Sequence, residues 1–160
     1  MRIRLAQVAD LEGIAHLINR NWDEVLAEVH SAAVVSRFRS EMSIAALREQ
    51  LCSKTILAAD DAGTVVATGA LADFPSEGRA KPCISNLFVA PERQREGLGA
   101  LLMQHLLALA RQRSITVLHV PSSRIAVAFY TRFGFTVDTE QPDAASEMTW
   151  MRKRLSDGKA

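Results

Sequence analysis

The residues best suited to chemistry form one run: Asn86-Leu87-Phe88-Val89-Ala90-Pro91-Glu92-Arg93-Gln94-Arg95-Glu96-Gly97-Leu98-Gly99. An apolar stretch enters a short loop with two glycines one residue apart, and a strong helical pattern starts there. Glycine has no Cβ, so its backbone can approach a ligand closely. A helix N-terminus offers free N–H groups and a partial positive charge, which suits a phosphate or pyrophosphate. Arg93 and Arg95 add charge to the same loop. The plainer reading is that Gly97 and Gly99 only permit a tight turn and close helix packing. Two phosphate motifs do not fit. A P-loop needs a Gly-Lys-Ser/Thr ending, which does not follow Gly97 or Gly99. A dinucleotide fingerprint needs a third Gly or Ala three residues after Gly99, where Leu102 stands. It also needs an acid about 20 residues on, where His119 stands.

The elements that must hold this loop are readable from periodicity. Leu98, Leu101, Leu102, Leu106, Leu109 and Ala110 make one apolar stripe, so a long helix follows the glycines. Residues 82–89 read as a central strand before it, and the β-branched run 115–120 as a strand after it. Pro121-Ser122-Ser123 opens another helix, with Ile125, Ala126, Phe129 and Tyr130 on one side and Gly134 as its C-cap. Upstream, residues 2–8 read as a strand, and Asp10 as the N-cap of a helix bearing Leu11, Ile14, Ala15, Leu17 and Ile18. Residues 21–42 are helical with ambiguous ends. Ser43 caps a helix carrying Ile44, Leu47 and Leu51. Strands at 55–59 and 64–71 flank the turn Asp60-Asp61-Ala62-Gly63, a hairpin. Residues 74–78 are a loop, and late strands fall at 135–137 and 147–154, joined by the loop 138–146. Mixed α/β with strands of both directions is the outcome.

Composition excludes whole classes. With 160 residues, 48% hydrophobic and 23% charged, the chain suits one globular domain, taken here as residues 1–155 with a tail at 156–160. A net charge of +1 argues against a nucleic-acid binder. No stretch is long and apolar enough to span a bilayer, and the N-terminus alternates like a strand, with no signal-peptide run. Cys52 and Cys83 are too few for a disulfide framework or a zinc site and read as reduced thiols, which points to the cytoplasm. No two histidines have metal-ligand spacing, so no metal is expected. His16 and His105 sit on helices where they would cover core edges, and His30 has no readable role.

Two segments together carry a family resemblance. Gln94-Arg95-Glu96-Gly97-Leu98-Gly99 resembles the Arg/Gln-x-x-Gly-x-Gly/Ala pyrophosphate loop of the GCN5-related N-acetyltransferases. Ala126-Val127-Ala128-Phe129-Tyr130-Thr131-Arg132-Phe133-Gly134-Phe135 resembles that family's Ala-x-x-Phe/Leu-Tyr-x-x-x-Gly-Phe segment. The gap between them suits helix, strand and helix, and the order of elements resembles the family fold from Arg2 to about Leu155. The resemblance implies an α/β fold with a mixed, mostly antiparallel sheet, flanked by helices and opened between two splayed central strands, 82–89 and 115–120. It implies acetyl-coenzyme A as co-substrate in that opening. The amides of Gln94, Arg95, Glu96, Gly97, Leu98, Gly99 and Ala100 would then hold the pyrophosphate. The backbone at Phe88 and Val89 would pair with the pantetheine arm, and an N–H near Leu87 or Phe88 would polarise the thioester carbonyl. Ala126 and Phe129 fall within the second matching segment, and the resemblance implies that they line the same coenzyme site. Ser123 stands where the family often has an Asn that contacts the coenzyme, and its hydroxyl can keep one such bond.

Tyr130, the single tyrosine, stands where the family commonly has the group that protonates the departing thiolate. Many members carry a Glu base on the strand before the loop, whereas Ile84-Ser85-Asn86-Leu87-Phe88-Val89 has no carboxylate. Three alternatives stand: Asn86 orienting a water, His119 accepting the proton, or an amine selected already deprotonated. The first third of the chain should form the acceptor pocket, with Trp22, Glu24, Glu28 and Asp73 placed to grip a cationic amine. The expected activity is acetyl transfer from acetyl-coenzyme A to a primary amine of a small molecule or peptide by direct attack. The missing carboxylate motivates an alternative, a coenzyme A-binding sensor on the same fold. Dimers are common among members, and no residue pattern here fixes one.

Overall fold

Asp60 organises the first hairpin. Ala62 and Gly63 both adopt positive φ (53° and 88°), and the Asp60 carboxylate accepts the Gly63 N–H at 2.8 Å, locking a tight turn. The strands it joins belong to a seven-stranded sheet. A computed structural model describes residues 1–72, 81–140 and 147–155. Its strands are β1 (Arg2–Leu5), β2 (Thr55–Asp61), β3 (Thr64–Ala72), β4 (Cys83–Val89), β5 (Val117–Ser122), β6 (Thr136–Val137) and β7 (Thr149–Arg154). The helices are α1 (Leu11–Asn21), α2 (Ala32–Glu41), α3 (Ile44–Ser53), α4 (Leu98–Gln112) and α5 (Val127–Arg132). Strand order is β1-β2-β3-β4-β5-β7-β6, and β4–β5 is the parallel pair within an otherwise antiparallel sheet.

Two apolar clusters cover the two faces. Leu11, Ile14, Ile18 and Trp22 of the N-terminal helices join Leu47 of α3 on one face. Leu102, Met103 and Leu106 of α4 join Tyr130 and Phe135 on the other. Each fully buried leucine there stabilises by about 1.5–3 kcal/mol through area removed from water. The α4 stripe is rotated from the expected one. Met103 and Leu107 are in the core, while Leu101 and Leu109 are half-buried, because α4 must cover both β3 and β4.

Four other local expectations are corrected. β1 ends at Leu5, and Val8–Asp10 forms a 3-10 turn. Asp10 holds the N-cap position of α1, but its carboxylate makes no capping bond to the first turn. Its carboxylate accepts the Gln7 N–H at 2.7 Å and is clasped by Arg4 at 2.7 and 2.8 Å, which holds it below the usual carboxylate range. β5 extends through Pro121 and Ser122, so these residues do not start the next helix, which follows a 3-10 turn at Arg124–Ala126. Proline is tolerated there because its nitrogen shares the side of the His119 N–H, which faces β4, where no further ladder bond is lost. His16 and His105 are exposed on their helices and cover no core edge. Ser43 does cap α3, accepting the Ala46 N–H at 3.2 Å. The ambiguous segment resolves into a π-helical turn, Trp22–Leu26, and α2, capped by Ser31. The expected loop 74–78 and tail 156–160 lie outside the described residues, as does most of the loop 138–146.

Candidate active site

A bulge in β4 creates the site. Thr68 pairs with Phe88 and Ala70 with Ser85, so Gly69 alone faces both Asn86 and Leu87. Asn86 takes positive φ (53°), a conformation asparagine tolerates better than most residues. Gly69 makes this crossing tight, since a Cβ there would sit 3.0 Å from Leu87 Cδ1 and 3.1 Å from Leu106 Cδ1 and both side chains would have to give way. β4 and β5 are joined at Cys83 and His119, where the His119 N–H donates to Pro82 O at 2.9 Å. Beyond that point the strands diverge around a cleft of about 1100 Å³. Among the described residues the β5-facing edge of β4 past the bulge therefore has backbone groups with no strand partner.

The cleft runs onto the start of α4. Gly97 has φ 86°, and the first bond of the helix is from Leu101 N–H to Gly97 O at 3.0 Å. Among the described residues no side chain caps this end, so the N–H groups of Leu98, Gly99 and Ala100 are the unpaired donors of the first turn. Arg95 also has positive φ (70°). Side-chain bonds pin this loop. Gln94 Nε2 donates to Asn21 Oδ1 at 3.0 Å, and Asn21 Nδ2 to Val89 O at 3.0 Å. Arg93 is tied to Glu96 at 2.7 Å and Asp61 at 2.9 Å, so its charge is spent on the loop. Glu96 points to Arg93 and away from the cleft lining, whereas Arg95 is exposed and lines it. Uncapped donors beside an unpaired strand edge fit a long ligand with an anionic group and amides, which is the chemistry of coenzyme A.

On the opposite wall, Ser123, Ala126, Phe129 and Tyr130 line the cleft. Tyr130 is 6% exposed and packs edge-on against Phe129 and Phe135. Burial pushes its phenol well above the ordinary value, so it stays protonated. Asn86, Leu87, Phe88 and Val89 form the β4 wall. Asn86 Nδ2 is engaged by Gln50 Oε1 at 2.8 Å.

At the far end, the π-helical turn directs Trp22 inward, where it stacks on Phe38 at 4.9 Å. The other acceptor candidates do not join it. Glu24 is exposed and paired with Arg20 at 2.9 Å, and Glu28 is exposed outside the cleft lining. Asp73 lies outside the described residues. His119 also misses the cleft. Its side chain turns toward Asp138, with Nε2 3.7 Å from Oδ2, and burial lowers its pKa. Among the described residues the titratable side chains at this end are Glu41 and Lys54, neither foreseen. Lys54 follows α3 with no motif around it, and only the three-dimensional meeting of α3 with β4 reveals it.

Among the described residues no helix is long and apolar enough to cross a membrane, and no cluster of three His, Cys, Asp or Glu side chains is placed to hold a metal. The family model for the acetyltransferase (GNAT) domain matches residues 25–155. No curated protein matches the chain. Among solved structures, PaiA N-acetyltransferase from Thermoplasma acidophilum, in complex with coenzyme A, is similar with TM-score 0.81 at 18% identity, covering 97% of this chain and 100% of that one. A GCN5-related N-acetyltransferase from Rhodopseudomonas palustris gives 0.79 at 20%, covering 96% and 95%. A GNAT family acetyltransferase from Brucella melitensis, in complex with acetyl-CoA, gives 0.70 at 22%, covering 97% and 88%. At these identities the likeness is one of fold, and the family assignment comes from the match over residues 25–155. The chain belongs to the GNAT acetyltransferase family.

Proposed function

We propose that this protein moves the acetyl group of acetyl-coenzyme A to a primary amine of a small molecule or peptide by direct attack, in the cleft between β4 and β5. The observation that carries this reading is the unpaired edge of β4 leading onto the uncapped N-terminus of α4. The amides of residues 94–100 hold the pyrophosphate, and Phe88 and Val89 pair with the pantetheine arm. An N–H at Leu87 or Phe88 polarises the thioester carbonyl. The Tyr130 hydroxyl gives its proton to the leaving thiolate, and Ser123, Ala126 and Phe129 shape the wall beside it. Two free thiols, Cys52 and Cys83, fit a reducing cytoplasm.

The test is amine-dependent release of free thiol from acetyl-coenzyme A across an amine panel, with the acetylated product identified by mass. Binding of acetyl-coenzyme A without amine-dependent release would favour the sensor alternative.

Among the described residues the cleft lining contains no histidine, so this reading assigns the acidic limb of the rate to the acceptor amine and not to His119. His119→Gln is expected to leave that limb in place. Its effect falls on stability. A histidine whose folded pKa is lowered contributes stability present above its unfolded pKa of about 6.5 and lost as pH falls. The melting temperature of wild type should therefore drop more between pH 7.5 and 5.5 than that of His119→Gln. Loss of the kinetic limb in a folded variant would restore His119 as the base.

A further inference from the structure

At the acceptor end of the cleft, Lys54 projects from the end of α3 among neutral partners. It donates to Gln50 Oε1 at 3.0 Å and to Ser85 Oγ at 3.2 Å. An ammonium has three donors, and these bonds use two. No carboxylate pairs with Lys54 among the described residues. Glu41, the nearest acid of the lining, is exposed and 3.7 Å from Arg37. Burial lowers the Lys54 pKa, and the opposing influences of Cys83 and Glu41 are smaller. Holding a cation half-buried without a counter-charge is costly, and an anionic group arriving in the cleft would offset that cost. Under the proposed reading the phosphates of coenzyme A sit at residues 94–100. Strand β4 alone spans about 13 Å from Ser85 to Val89, so those phosphates are not the anion in question. The remaining walls here, Trp22, Leu26, Phe38 and Met42, are apolar.

We infer that the acceptor is an apolar amino acid, with its carboxylate held by Lys54, its side chain against Trp22, Leu26, Phe38 and Met42, and its amine directed at the thioester. This rests on the acetyltransferase reading above. It also disfavours a polyamine, which Lys54 would repel.

The experiment compares leucine with leucinamide and 3-methylbutylamine, phenylalanine with 2-phenylethylamine, and spermidine. Wild type, Lys54→Met and Lys54→Arg are used, with kcat/KM referred to each amine's free-base fraction. Acetyl-coenzyme A affinity is measured by calorimetry on the same proteins. Wild type should prefer each amino acid over its carboxylate-free counterpart by about 10–100-fold, the range for a hydrogen bond to a charged group. Lys54→Met should bring that ratio near one, chiefly through KM, and Lys54→Arg should keep most of it. A purely structural role for Lys54 would lower all rates together and leave the ratio unchanged. Equal or better use of the carboxylate-free amines or spermidine by wild type overturns the inference, and so does an unchanged ratio in Lys54→Met. Absence of turnover with the whole panel, in protein that binds acetyl-coenzyme A, overturns it as well. Failure of wild type to bind acetyl-coenzyme A overturns the acetyltransferase reading and this inference with it. If Lys54→Met does not fold, the wild-type preference and the Lys54→Arg ratio still decide.

Discussion

Tyr130→Phe is expected to lower kcat by about 10–10⁴-fold, the usual general-acid benefit widened downward because water can substitute. Acetyl-coenzyme A affinity should hardly change. The substitution removes only the hydroxyl, since the ring stays between Phe129 and Phe135 at 5.3 and 5.8 Å. Burial keeps the phenol protonated across the working range, so it enters the reaction able to donate. Among the described residues no aspartate, glutamate, histidine or lysine lies beside it on the α5 wall of the cleft to take over. The measurement is kcat where chemistry limits the rate, with calorimetric affinity as control. Full activity in a folded Tyr130→Phe protein would assign the proton to solvent or another donor.

Gly99→Val is expected to weaken acetyl-coenzyme A binding by about 10–100-fold, the scale of overpacking a tight contact. A Cβ at Gly99 already comes 3.4 Å from Phe129 Cε2 and 3.7 Å from Val89 Cγ2. Valine adds two methyl groups to that contact, displacing the first turn of α4 or Phe129 at the point where the unpaired N–H groups must meet the pyrophosphate. Alanine makes only ordinary contact there, so Gly99→Ala should lose much less. Calorimetry on both variants, with circular dichroism to establish folding, decides the matter. Unchanged affinity in folded Gly99→Val would remove the loop from the phosphate site.

Local signals made much of this fold legible. The hairpin at Asp60 to Gly63, the Ser43 cap and the strand–loop–helix around Gly97 each rest on neighbours in sequence, and each stands where expected. Long-range competition hid the rest. Asp10 has the chemistry of a cap, but Arg4 from β1 claims its carboxylate. Pro121 reads as the end of a strand unless the strand is known to face a gap. Asn86 reads as a strand residue, and its role in the bulge depends on Gly69 across the ladder. At the candidate site, the glycine loop and Tyr130 lie in contiguous motifs, and both line the cleft. Lys54 and Gln50 at the end of α3 carry no such motif, because they meet Ser85 only when α3 packs against β4. The acids singled out near Trp22, Glu24 and Glu28, are solvated instead.

The account turns on where acetyl-coenzyme A sits, and backbone hydrogen exchange reads that directly. Adding saturating acetyl-coenzyme A should slow exchange in peptides covering residues 86–101, where an unpaired strand edge and the free first turn of α4 gain hydrogen-bond partners. The other edges of the sheet, β1 and β6, should exchange as before. Binding with no slowing in residues 86–101, or with slowing confined to another part of the chain, would contradict the placement of the coenzyme between β4 and β5.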